Sequence, residues 1–541
     1  MGSRSRTRRK AAASAVVLAA AAMAPTTAAA PAAAAPPTAA APPGDRTVMV
    51  QLFQWKWADV AKECETFLGP KGFGAVQVSP PQEHIVLPNA GQGGYPWWQD
   101  YQPVGYPGPG FATLTTRRGD ATAFRDMIRR CHASGVKIFA DAVINHTTGS
   151  SSGTGSAGTS FPGKYTYPGT FSDADFHTCR RDIANYGDRW EVQNCELASL
   201  ADLRTDDAGY VRPRLGRYLK DLASLGVDGF RIDAAKHMPA ADIAAILGEM
   251  RGQIAADPAF PADGTRDPYV YQEVLYGAGE PVKPSEYRGN GDLKEVQAMN
   301  FISQKFWTTS DAGNRLHQLH AFPNNWGEDM EPGGKAVVMV DNHDSQRDAL
   351  SGRRILTYKN GAAYRLANVF MLGWDYGTPL VMSSFAFTQR DTSPPTYGGG
   401  TTKDVSCNGT EWVCEHRSSE MADMVGFRNA VGGAPVNKAD DAPEQDWYTD
   451  YAEGGPGNKI AFSRGDRGYV VINRDEGTGW NRMFRTRLPA GRYCDVIGGG
   501  HDPSAGTCAP SHVVTVAADG TFTANVPSMT ALALHVGARL G

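Results

Sequence analysis

Neither sign of charge is in excess along this chain: 53 Lys and Arg face 57 Asp and Glu, a formal net charge of -4 over 541 residues. That balance offers no electrostatic footing for nucleic acid or an anionic membrane and points to a neutral ligand. None of the eight cysteines stands in a Cys-x-x-Cys pair, so the spacing of a structural zinc site is missing. No glycine-rich phosphate loop follows the first apolar run, which argues against an open, doubly wound nucleotide-binding sheet. A strongly apolar stretch of roughly 20 residues, as a membrane span needs, is missing too. The nearest thing to one, Ala11 to Ala24, is alanine-rich and is soon broken by Pro25.

What that stretch does have is a basic start, Arg4, Arg6, Arg8, Arg9 and Lys10, and small residues behind it, the pattern of an export signal. Residues 1–43 are therefore expected to be a signal peptide and an Ala/Pro-rich segment outside the fold, with cleavage near Ala30, Ala35 or Ala41. In an exported chain an even number of cysteines reads as disulfides: Cys64, Cys131, Cys179, Cys195, Cys407, Cys414, Cys494 and Cys508. Spacing alone leaves their connectivity open. Aromatics make up 10% of residues, with 11 Trp, which suits stacking on sugar rings and equally suits several large cores.

Apolar runs of strand length alternate with runs of helical period: strands at 48–53, 74–78, 136–142, 227–232, 269–274, 336–340 and 379–382, helices at 57–67, 124–134, 214–225, 241–254, 365–372 and 420–431. Such alternation predicts a parallel β/α barrel over residues 44–146 and 212–440. It stops between His146 and Arg212, where a Gly/Ser-rich piece and two cysteines predict a small inserted domain over 147–211. From residue 446 to 541 short strands separated by turns predict a terminal antiparallel β domain.

Four of the apolar runs end in polar clusters: FADAVINH at 139–146, GFRIDAAKH at 229–237, YVYQEV at 269–274 and VVMVDNHD at 337–344. In a strand alternate side chains share a face, so Arg231 should lie beside Asp233 and keep that carboxylate ionised. Barrel enzymes build their sites at the C-terminal ends of strands, so Asp233, Glu273 and Asp344 are expected to converge with Arg231, His146 and His343. One ionised carboxylate for an anomeric carbon, one protonated carboxyl for the departing oxygen, and polar groups for hydroxyls are what glycoside cleavage requires.

With those residues on the page, the chain resembles the α-amylase family, and most closely its animal-type branch, also found in actinobacteria. DAVINH, GFRIDAAKH, the Glu of YQEV and VDNHD stand in the order of the family's four signature regions, and QLFQWKWADVAKECETFLGPKGFGAVQVSPPQEH and YPWWQDYQPVGY are similar to the animal enzymes as well. The resemblance implies a (β/α)8 TIM barrel with a small domain B inserted after strand 3 and a C-terminal antiparallel β-sandwich. It implies a secreted, endo-acting, retaining enzyme that hydrolyses internal α-1,4-glucosidic bonds of starch, glycogen and malto-oligosaccharides, working as a monomer without nucleic-acid or membrane partners. A relative that passes the glucan to a sugar hydroxyl instead of water would share these motifs. A non-catalytic binding barrel would lack one of the three carboxylates, and all are present.

Carried over by the resemblance, Asp233 is the nucleophile, Glu273 the general acid and base, and Asp344 the third carboxylate. Arg231, His146, His343 and Asp141 become transition-state and subsite contacts, Trp97, Trp98 and Tyr101 an aromatic platform on a loop, and Lys236 and His237 hydroxyl contacts beyond the cut. A structural Ca2+ is implied, with side-chain ligands Asn145 and Asp202 and main-chain oxygens of Gln193 and His237, all oxygen donors as a hard cation requires. The implied disulfides are Cys64 with Cys131, Cys179 with Cys195, Cys407 with Cys414, and Cys494 with Cys508. Two departures stand out: DSQRDALSGRR replaces the family's glycine-rich loop after the last signature, and Ala386 takes the place of an Arg expected to bind chloride, so chloride dependence is not expected.

Overall fold

Eight short strands pair in parallel and close on themselves in the computed structural model, which describes residues 46–107, 114–323, 330–349, 352, 354–498, 500–502 and 505–541. Residues 1–43, expected to be a signal peptide and an Ala/Pro-rich segment, lie outside the described residues. The strands are β1 (Met49–Leu52), β2 (Ala75–Val78), β3 (Lys137–Ala142), β4 (Gly229–Ile232), β5 (Tyr269–Gln272), β6 (Asp292–Glu295), β7 (Ala336–Val338) and β8 (Thr378–Ser383), each beside the next, with β8 returning to β1. Both faces of such strands are covered, which is why they read as continuous apolar runs instead of alternating ones. Met49, Ala75, Phe139, Tyr269, Tyr271, Val337, Met339 and Leu380 share a separate core with Met299 from the helix after β6, the packed filling expected inside a barrel.

The outer layer is α1 (Trp57–Glu63), α2 (Ala121–Ala133), α3 (Val211–Ser224), α4 (Ala240–Ala255), α5 (Val296–Trp307), α6 (His343–Asp348), α7 (Ala362–Gly373) and α8 (Ser419–Val431). Helix α2 shows how the sequence makes one: Asp120 caps it by accepting from the Ala123 amide, and Phe124, Met127, Ile128 and Cys131 form the buried stripe. A disulfide from Cys131 to Cys64, just past α1, pins the two helices together across 67 residues of chain.

Seven of the strands fall on runs visible in the sequence; β6 does not. Its text is DLKE, which lies in none of the apolar runs, yet all four residues are buried. Their charges are met by partners from elsewhere in the fold: Glu295 accepts the amides of Gln297, Ala298 and Glu331, and Lys294 pairs with Glu273.

Between β3 and α3 the chain leaves the barrel. Gly153–Thr154 pairs with Ser160–Phe161 and Cys179–Asp182 with Cys195–Glu196, the latter stapled by the Cys179–Cys195 disulfide, over buried Phe161, Tyr167, Phe171 and Phe176. It comes back against the barrel at Asp202, which bridges to His146.

After α8, β9 (Trp447–Thr449), β10 (Lys459–Arg464), β11 (Gly468–Asn473), β12 (Trp480–Arg485), β13 (Gly491–Cys494), β14 (Val513–Val516), β15 (Thr521–Val526) and β16 (Thr530–His535) form antiparallel sheets. The sheets enclose Ala461, Tyr469, Val471, Trp480, Phe484, Phe522 and Leu534. Disulfides Cys407–Cys414 and Cys494–Cys508 close short loops.

Candidate active site

Register brings the first charges together. Arg231 on β4 pairs with Asp141 on β3 and with Tyr271 on β5, so its side chain points into the same end of the barrel as theirs. The guanidinium is 2% exposed and serves three carboxylates: Nη1 donates to Asp141 and, at 2.8 Å, to Oδ1 of Asp233, while Nη2 lies 2.7 Å from Oε1 of Glu273. A planar, always charged fork is the group that can hold several acids at fixed spacing. Asp233 and Glu273 lie just past the ends of β4 and β5, where the chain turns: Ala234 is left-handed, and its amide donates to Oε2 of Glu273 at 3.3 Å. Asp344 sits in the first turn of α6, its side chain 39% exposed against 10% for Asp233 and 8% for Glu273. It is the carboxylate of the group most open to an arriving ligand.

Two cations share one oxygen. The Lys294 ammonium, almost fully buried, also reaches Oε1 of Glu273 at 2.7 Å. Burial pushes Glu273 upward, but Arg231 and Lys294 together outweigh it and hold this carboxyl well below the usual carboxylate range. Asp233 goes the other way: burial raises it well above its ordinary value, and the neighbouring charges of Glu273 and Asp141 add to that against the pull of Arg231. The pull of Arg231, expected to keep Asp233 ionised, is thus opposed by desolvation and by the like charges of Glu273 and Asp141, with one guanidinium divided among three carboxylates. Burial also raises Asp141, against Arg231 and the Tyr101 hydroxyl.

The imidazoles are neutral. Burial lowers His343 to about 3 and His146 and His237 to about 4 each. His343 is held by Gln51 Nε2 at 3.0 Å on Nδ1, with Nε2 3.3 Å from Asp344 Oδ2. His146 has Nε2 3.0 Å from the Tyr101 carbonyl and Nδ1 3.3 Å from Asn145 Nδ2.

Trp97, Trp98 and Tyr101 lie on a 3-10 helix, Trp97–Tyr101, where a loop was expected. Pro96 opens it with extended backbone, and the chain has room for only one and a half tight turns before the strand Pro103–Gly105. Tyr101 stacks on His343 with centroids 5.2 Å apart, and Trp97 meets both edge-on. The indole N–H groups of Trp97 and Trp98 donate to the Arg390 carbonyl and to Asp391. Lys236 pairs with Glu280 under the Tyr186 ring, and His237 Nδ1 is 3.0 Å from the Val192 carbonyl. Lys294 escaped the sequence reading because its strand did; a buried lysine one strand away from Glu273 has no linear signature.

The residues expected to bind metal fall into two neighbouring pairs along the chain's return from the inserted domain. Asn145 and Asp202 lie at the point where 202 bridges back to 146, and Gln193 follows Val192, which touches His237. Asn145 Oδ1 is buried with no donor to satisfy it, while Asp202 accepts from His177 at 2.7 Å and is raised by burial to about 6. An orphaned oxygen beside a buried carboxylate is what a hard cation would complete, so these residues fit Ca2+. Ala386, by contrast, lies three residues past β8, its amide bonded to the Glu411 carbonyl between Phe385 and Phe387. The methyl side chain of Ala386 brings no charge, and the second cation on Glu273 is Lys294.

Residues 95–383 match the α-amylase catalytic domain, and residues 453–537 the all-β C-terminal domain of α-amylases. The α-amylases of Thermomonospora curvata and Tenebrio molitor are 46% and 42% identical over 92% of this chain, covering 74% and 98% of their own lengths. The chain belongs to the α-amylase family. Pancreatic α-amylase 2a5 of Mus musculus is 39% identical over 88% of this chain and 91% of its own. The crystal structure of α-amylase I from Eisenia fetida superposes with a TM-score of 0.79 at 38% identity, over 91% of this chain and 98% of that one, and a mutant of the same enzyme is known in complex with maltohexaose. Likeness at this level across barrel and β domain makes this protein an α-amylase, a glycoside hydrolase.

Proposed function

We propose that this α-amylase is a secreted monomer that cleaves internal α-1,4-glucosidic bonds of starch, glycogen and malto-oligosaccharides with retention of anomeric configuration. The observation that carries the reading is the single guanidinium of Arg231 holding Asp233 and Glu273 on neighbouring nitrogens, the close pair of carboxylates that a double displacement uses. Asp233 attacks the anomeric carbon as Glu273 delivers a proton to the leaving oxygen; water then enters with Glu273 as base. Positive charge growing on the sugar favours ionised Asp233, and the glycosidic oxygen favours protonated Glu273, so the reaction draws each carboxyl toward the form its role needs. Asp344, His343, His146 and Asp141 grip hydroxyls around the scissile bond, Trp97, Trp98 and Tyr101 face the ring on one side, and Lys236 and His237 lie toward the other.

Ca2+ held by Asn145, Asp202 and the carbonyls of Gln193 and His237 would tie the inserted domain to the barrel and supply structural cross-linking. Activity independent of chloride is part of the same reading, because Ala386 stands where an Arg would be needed to bind the anion. Four disulfides, together with the absence among the described residues of any helix long and apolar enough to cross a membrane, support export. The test is a product time course on soluble starch with the anomer followed by NMR: α-configured, internally cut malto-oligosaccharides are expected. First-formed β-anomers would overturn retention, and long transfer products in place of net hydrolysis would overturn the choice of water as acceptor.

A further inference from the structure

Lys294 has one hydrogen-bond and ion-pair partner among the described residues, Oε1 of Glu273. A buried ammonium with four flexible carbons is entropically costly to order and costly to desolvate, so a site that keeps one invests it in the group it touches. The same oxygen already has the Arg231 guanidinium at 2.7 Å. With Lys294 donating to Oε1 and the Arg231 charge beside it, a proton on that oxygen would have to displace the ammonium. The other oxygen, Oε2, has only the long 3.3 Å contact from the Ala234 amide. The carboxyl is therefore asymmetric by construction.

We propose that Lys294 is a positioning residue for the general acid and base: it commits Oε1 of Glu273 as a permanent acceptor, so that Oε2 alone carries the proton given to the leaving oxygen and later taken from water. This rests on Glu273 having that role. The Lys294 hydrogen bond, with the Arg231 charge beside the same oxygen, opposes rotation that would exchange the two oxygens, so the acidic one stays aimed along one direction in both half-reactions. The ammonium also sets where Glu273 reprotonates. The groups facing it are Arg231 and Asp233 from the end of β4, Asp141 from β3, Tyr271 on β5, His237, and His343 with Asp344 from α6; Glu295, next to Lys294, is occupied by backbone amides. Of these, only Lys294 and Arg231 are cations on the carboxyl itself, and Arg231 is shared with two other acids. Among the described residues, Lys294 is the one cation whose hydrogen bond goes to Glu273 alone.

The test compares the full chain with Lys294→Ala, Lys294→Arg and Glu273→Gln on two substrates: a malto-oligosaccharide, whose departing sugar needs a proton, and α-maltosyl fluoride, whose fluoride does not. Lys294→Ala should lose about 10- to 100-fold in kcat/KM on the oligosaccharide and far less on the fluoride. Removing a cation raises the carboxyl pKa, so the alkaline limb of the kcat/KM profile should move up by roughly a pH unit or more. Ethylammonium added to this variant should restore part of the rate, and Lys294→Arg should keep most of it. Equal losses on both substrates with an unmoved alkaline limb would overturn the proposal and leave Lys294 a packing residue. Should Lys294→Ala not fold by circular dichroism, the same two readings on the neutral, similarly sized Lys294→Met decide: a displaced alkaline limb with the fluoride rate kept supports it, and an unmoved limb overturns it. Glu273→Gln separates the two levels, since near-normal oligosaccharide cleavage by that variant would remove the acid assignment itself, whatever Lys294 does.

Discussion

The hydroxyl of Tyr101 donates a 2.9 Å hydrogen bond to Oδ2 of Asp141, joining the aromatic 3-10 helix to the base of the site. Asp141 is wholly buried, and its other oxygen is taken by Arg231. Tyr101→Phe keeps the stacking on His343 but leaves a buried carboxylate short of a donor, at a cost of about 1–3 kcal/mol. A lowered melting temperature together with a raised KM is the expected outcome. Unchanged values of both would show that the bond neither stabilises the fold nor seats the platform.

Asp233→Asn is expected to lower kcat by at least about 10⁴-fold while leaving the melting temperature within a few degrees, since a nucleophile cannot be replaced by a neutral amide of the same shape. The loss should be equally deep on α-maltosyl fluoride, because attack is needed whatever leaves. Near-normal turnover by a variant verified free of deamidation would move the nucleophile elsewhere.

Chelation should destabilise the protein. An ion bound only by the native state adds about 2.7 kcal/mol at a hundred times its Kd, so the melting temperature should fall on verified Ca2+ removal and recover on adding it back. Asn145→Ala should shrink that response, as its orphaned oxygen is the group the ion would satisfy. An identical melting curve with and without Ca2+ would rule out a structural role.

Asp495 gives a pH-dependent test outside the active site. Burial raises it to about 7, although the Ala533 and Ile497 amides both donate to Oδ1. A carboxyl whose folded pKa lies above its unfolded value of about 3.9 binds the extra proton in the native state, so its contribution is fully present at low pH and is lost as pH rises toward 7. Asp495→Asn mimics the protonated form. Its melting temperature relative to the unmutated protein should therefore climb between pH 5 and pH 8, and a difference that stays flat over that window would contradict the buried-acid account.

Much of this protein was legible without coordinates. Strands such as FADAVINH and GFRIDAAKH carry their burial in their composition, because a barrel strand is covered on both faces and must be apolar until it reaches the end where the site begins. For the same reason the carboxylates at those ends, Asp233, Glu273 and Asp344, could be picked out by position along the run. What pairing in space decides was not legible. DLKE became a strand because its charges find partners that are distant in sequence, Lys294 at Glu273 and Glu295 at the Glu331 amide. The electrostatics of the site were likewise set in three dimensions: an Arg-x-Asp pair alone pulls an aspartate down, but Asp141 and Glu273 share the same guanidinium, and burial with their like charges pushes Asp233 up. Linear order records which groups a strand presents, whereas a pKa depends on every charge and solvent gap within a few ångströms, and these come from strands and helices that only the closed barrel brings together.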